Sequence, residues 1–87
     1  MKKDDFIKSV NKIKTERDEL KLKMHLASME AKEEFEKAEK KWENVKSKAA
    51  KIADKTIETS DEYIAKANII GEELKEAYRR IAKRLSK

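Results

Sequence analysis

Across 87 residues the chain carries no proline and a single glycine, Gly71. The residues that most readily end or kink a helix are therefore nearly missing. Against that background the apolar residues recur in steps of three and four. Phe6, Val10, Ile13, Leu20, Met24, Ala27 and Ala31 form one such line, with Arg17 standing in the gap before Leu20. Phe35, Ala38, Trp42, Val45, Ala49 and Ile52 form a second. Tyr63, Ala67, Ile70, Leu74, Ala77 or Tyr78, Ile81 and Leu85 form a third, widened by Ile64 and Ile69. This spacing keeps side chains on one face of a helix and is the seam pattern of a coiled coil. The chain is all-α, and each apolar face needs cover.

What covers them depends on where the helices stop. Between the first two lines the steps from Ala27 to Ala31 and from Ala31 to Phe35 are both four. A stutter of this kind unwinds a supercoil locally without breaking the helix, and the surrounding residues are strong helix formers. The run "TIETS" at 56–60 is the least helix-favouring in the chain, because its β-branched and hydroxyl side chains lose rotamer freedom or compete for backbone hydrogen bonds. Thr59 stands three before Glu62, the capping-box spacing, and Asp61 adds an acid to the first turn. A helix is expected to end here. The preferred arrangement is one domain over 1–87: a long antiparallel hairpin or coiled coil with helices over about 4–57 and 60–86, assembled as an oligomer. The first helix would be about 80 Å long at about 1.5 Å per residue, and its N-terminal half would need a second molecule. The alternatives are a three-helix bundle with an extra turn near 27–34 and one continuous helix in an oligomer.

Charged residues are 47% of the chain, and long helices stay soluble and formed on such a surface. Favourable acid-before-base pairs four apart, such as Glu19 with Lys23, Glu33 with Lys37 and Glu62 with Lys66, add a few tenths of a kcal/mol each. The net charge is +5, and the excess lies in the C-terminal half, where "RRIAKRLSK" has five cations and no acid. Cations suit the negative end of a helix dipole. Read instead as a contact for a polyanion, the candidate residues are Arg79, Arg80, Lys83, Arg84 and Lys87. Nucleic acid is disfavoured as a partner, since acids are interspersed and the aromatic residues lie on apolar seams. A membrane surface fits better, because residues 63–85 carry a wide apolar face flanked by lysines.

Nothing points to an enzyme. Without cysteine there is no thiolate nucleophile or disulfide framework, which suits a cytoplasmic protein. His25 has no second histidine or acid at ligand spacing, and Glu33, Glu34, Glu36 and Glu39 wrap around a helix rather than converging. No metal, cofactor or catalytic residue is expected. The opening "MKKDDFIKSVNKIK" lacks the apolar run of a signal peptide or a membrane-spanning helix. Gly71 reads as a close contact between helices. Arg17, a polar residue in a seam, restricts register, its stem packing while its head reaches an acid. The expected self-association seam is Phe6, Val10, Ile13, Arg17, Leu20, Met24, Phe35, Trp42, Val45, Ile52, Tyr63, Ile70, Leu74 and Ile81.

The runs "LASMEAKEEFEKAEKKWENVKSKAAK" and "GEELKEAYRRIAKRL" resemble a group of small, uncharacterised bacterial proteins rich in Lys, Glu and Ala, of coiled-coil or apolipoprotein-like kind. The likeness runs from about Glu19 to Leu85. It implies an all-helical, non-enzymatic protein and transfers no site residues. Proline, which commonly punctuates lipid-binding repeats, is absent here. The expected function is that of a coiled-coil interaction or structural protein that forms homo-oligomers or binds another helical protein. Peripheral lipid binding is the alternative, and polyanion binding through the C-terminus ranks below it.

Overall fold

In the computed structural model, which describes residues 2–85, three helices follow one another: α1 Lys3–Lys23, α2 Met29–Ala53 and α3 Asp61–Leu85. The all-α expectation holds, in the three-helix form. The helix expected over 4–57 is divided at residues 24–28, and its second part ends at Ala53. Folding back in this way reduces a rod of about 80 Å to a body of 43 × 17 × 17 Å. Helix α3 packs on both α1 and α2, which also touch each other.

The first turn is built from little. A short 3₁₀ segment, Met24–Leu26, tightens the end of α1, and the Ala27 amide donates to the Met24 carbonyl at 3.0 Å. Ala27 and Ser28 then take extended backbone angles, reversing the chain. The Ser28 hydroxyl accepts a hydrogen bond from the Ala31 amide at 3.2 Å and so caps α2, with Glu30 as the acid in its first turn. The stutter at 27–35 thus coincides with a break, not with a local unwinding. No glycine is needed, since no residue at the turn has a positive φ.

The second turn occupies residues 54–60. Asp54 organises its first half: one carboxylate oxygen accepts from the Thr56 amide at 2.9 Å and the Thr56 hydroxyl at 2.7 Å. Those bonds hold the Asp54 carboxyl below its usual range. The cap of α3 is Ser60, one residue later than expected. Its hydroxyl accepts from the Tyr63 amide at 3.1 Å and its carbonyl from the Ile64 amide. The Thr59 hydroxyl oxygen is buried and has no hydrogen-bond partner.

All three apolar lines meet in one core. Phe6, Ile13, Val45, Ile52, Leu74 and Ile81 are each at most 1% exposed. Each large apolar side chain so buried contributes roughly 1.5–3 kcal/mol. On α3 the buried register is Ile64, Ala67, Gly71, Leu74, Tyr78 and Ile81, so Tyr63 and Ile70, expected in the seam, lie half-buried at its flank. Gly71 faces α1: a β-carbon placed there would meet the Ile13 Cδ1 at 3.5 Å, an ordinary contact.

Two outcomes follow from these placements. Gly71→Ala adds helix propensity without a clash and raises stability by about 0.5–1 kcal/mol in denaturant titration. Ser60→Ala costs about 1 kcal/mol through the lost cap, whereas Thr59→Val, which removes an orphaned hydroxyl, costs nothing or stabilises. A larger loss for Thr59→Val than for Ser60→Ala would return the cap to Thr59.

Candidate interaction surface

One polar cluster joins all three helices. Arg17 on α1 lies among core residues, and its guanidinium reaches across to Glu39 on α2. Nε donates to both carboxylate oxygens at 2.8 and 3.1 Å and Nη2 donates to Oε2 at 2.8 Å. Nη1 donates to Asp18 at 2.9 Å. From α3, the Tyr78 hydroxyl donates to Glu39 Oε1 at 3.2 Å. The guanidinium also lies 5.9 Å from the ring centroid of Trp42, and Phe35 packs against Tyr78 in a tilted arrangement with centroids 5.9 Å apart. Hydrogen bonding to Glu39 holds Arg17 in its charged form more firmly than usual, against the cost of burial. Burial, and then the neighbouring Glu39 carboxylate, push the Tyr78 hydroxyl well above its ordinary value of 10.0. These donors and acceptors are committed to one another, which marks the cluster as a tie between helices.

The residues expected to form an intermolecular seam are consumed in this core. Phe6, Val10, Ile13, Leu20, Met24, Phe35, Trp42, Val45, Ile52, Leu74 and Ile81 are buried within the single chain, and Arg17 is largely so. The physical reason is the turn at residues 24–28: once α1 folds onto α2 and α3, its seam is covered without a second molecule.

The basic C-terminal residues do not form one patch. Arg84 turns toward α2, pairing with Glu34 at 3.0 Å and Glu30 at 3.5 Å. Arg80 shares a cleft of about 390 Å³ between α2 and α3 with Glu34, Lys37 and Lys41, over a floor that includes Ala38 and Ile81. Arg79 lies on the other side, beside Glu16, Glu19 and Lys23. Lys83 is exposed, and Lys87 lies outside the described residues. Successive residues on a helix point about 100° apart, so "RRIAKR" is spread around α3.

A feature that the sequence reading missed is the corner between α1 and α2. Leu22, Leu26 and Met29 are 75%, 83% and 74% exposed. In a long helix Leu22, Leu26 and Met29 would have flanked the seam at Met24; with the turn in place they project from one end of the bundle. The only signal was their failure to fit the three-and-four spacing of the first line. At the opposite end Ile57 is 42% exposed, and Ile69 on the middle of α3 is 58% exposed. His25, beside Leu22, is exposed. Among the described residues no three His, Cys, Asp or Glu side chains are gathered as a metal would need, and no helix is long and apolar enough to cross a membrane.

No protein-family profile, no curated protein and no solved structure matches the chain. The likeness to Lys/Glu/Ala-rich bacterial proteins therefore rests on the quoted runs alone.

The Tyr78 environment carries a pH prediction. In the unfolded chain the phenol ionises from about pH 10, while in the folded chain it keeps its proton to higher pH. Its contribution to stability is thus complete below pH 10 and falls as pH rises further, because the folded state binds the extra proton there. Tyr78→Phe costs about 1 kcal/mol at neutral pH and makes the loss of stability above pH 10 shallower than in the parent, as read from urea midpoints. An equally steep loss in both would assign the alkaline sensitivity to lysines.

Proposed function

We propose that the protein is a non-enzymatic helical interaction module of the cytoplasm that folds by itself and engages other molecules through its surface. One observation carries the reading: the apolar seams are used up inside a single chain, while three large apolar side chains are left projecting at one corner. Large apolar groups left together in water mark contact sites, whereas singly scattered ones carry no such meaning. The Arg17, Glu39 and Tyr78 cluster supports a structural role for the polar groups brought together from the three helices, since each is engaged by the others. Homo-oligomerisation through the seams would require the bundle to open and expose its core.

The test is the mass in solution together with thermal unfolding at several concentrations. A monomer of 10.2 kDa is expected, with an unfolding temperature that does not move with concentration. A higher mass whose dissociation is accompanied by loss of helix, and an unfolding temperature that rises with concentration, would overturn the reading in favour of a seam-built oligomer.

A further inference from the structure

The exposed corner sits at one end of a bundle whose two ends differ in charge. Residues 21–32, which span the corner, and residues 79–85, which close α3, together hold seven cations and one acid, Glu30. Arg84 pairs across to Glu30 and Glu34, so these two segments, distant in sequence, are held against each other. At the other end, residues 2–5 and 50–62 hold four cations and six acids. With Glu34, which Arg84 holds at this end, the net charges are +5 and −2, and the most exposed apolar side chains stand at the positive end.

Resting on the reading of the protein as a module that acts through its surface, we propose that this end docks on an anionic lipid surface: Leu22, Leu26 and Met29 enter the headgroup layer, and the surrounding lysines and arginines meet the lipid phosphates and carboxylates. Shape decides between a lipid surface and a partner helix. A partner helix is received in a groove lined by apolar residues at helical spacing. Here the apolar side chains are 74–83% exposed at the end of a body 17 Å across, so they protrude. The depression beside them is open and lined by Arg17, Asp18, Lys21, Leu22 and His25. A protruding apolar tip within a basic surround matches a soft, planar, negatively charged interface. Charge also disfavours a second copy placed tip to tip, since it would bring two positive ends together.

The experiment is co-sedimentation of the full chain with vesicles of phosphatidylcholine alone and of phosphatidylcholine with about 30% phosphatidylserine, at low and high salt. Expected is binding to the anionic vesicles only, released by salt. The double variant Leu22→Glu/Leu26→Glu should weaken that binding at least about tenfold, since two apolar groups no longer enter the interface, while helix content and unfolding temperature stay unchanged. Ile69→Glu, at an exposed apolar residue away from the tip, should leave binding as it was. Failure to sediment with anionic vesicles, or equal binding by the double variant, overturns the proposal. So does a self-associated parent that the double variant turns into monomers without any vesicle binding, which would make a second copy the occupant. If the parent is monomeric and vesicles are ignored, the lipid assignment falls while the self-contained module stands; if the seams form an oligomer, the module itself falls.

Discussion

The bundle depends on one ionic contact placed where an apolar residue would be ordinary. Arg17 occupies a seam position on α1, and what it gives up in burial it recovers through bonds to Glu39 and, through Glu39, to Tyr78 on α3. Removing either charged partner leaves the other partly buried with its bonds unmade, a cost of about 1.5–3 kcal/mol for bonds to charged groups. For a domain this small, with little core relative to its surface, that is a large share of its stability. The contact is also directional. Apolar seams tolerate sliding by a heptad, because every turn presents similar groups. A guanidinium that must meet a carboxylate and, beyond it, a phenol has one register. The cluster thus selects the alignment in which Trp42 lies under the guanidinium and Phe35 against Tyr78.

Much of this was legible in the chain. The three apolar lines were readable from spacing, because burial on one helical face leaves a period of 3.6 in the sequence. Phe6, Val10, Ile13, Trp42, Val45 and Leu74 are buried, though in the core of a single chain and not in the seam between molecules expected for them. Arg17 was identifiable as a registering residue, though its acid was not: Glu39 is 22 residues away, and eighteen acids compete for the role in a chain with 47% charged residues. The end of a helix near residues 56–60 was readable from weak propensity. The identity of its cap was not, since Thr59 and Ser60 are both hydroxyl residues at acceptable spacing and only the backbone path decides which hydroxyl meets an amide.

The turn at residues 24–28 was the costly omission, and it decided the architecture. It uses neither glycine nor proline; a 3₁₀ segment, two extended residues and the Ser28 hydroxyl suffice. Its local signals, one serine followed two residues later by an acid, are too common in charged helices to stand out. The stronger signal was the stutter itself. A phase shift in an apolar seam has two physical solutions, a supercoil that unwinds or a chain that turns, and the balance is set by whether the two halves can cover each other. Here they can, because α1 and α2 have similar lengths and complementary polar groups at Arg17 and Glu39.

The same turn explains why the surface reads differently from the sequence. Had the helix run through residues 24–28, Leu22, Leu26 and Met29 would have been scattered along the side of a rod, and the cations of α3 would have lain apart from them. Folding brings the last turn of α3 to the start of α2, where Arg84 meets Glu30 in the first turn and Glu34 one turn on. Two weak features, a few misplaced apolar residues and a basic terminus spread around its helix, become one end of a body. The charge asymmetry between the ends follows from topology: with α2 antiparallel to both α1 and α3, the chain segments at each end are fixed by where the turns fall. Moving the first turn by one heptad would leave the composition and the +5 net charge untouched, yet it would carry Leu22 or Met29 away from the end and disperse the polarity.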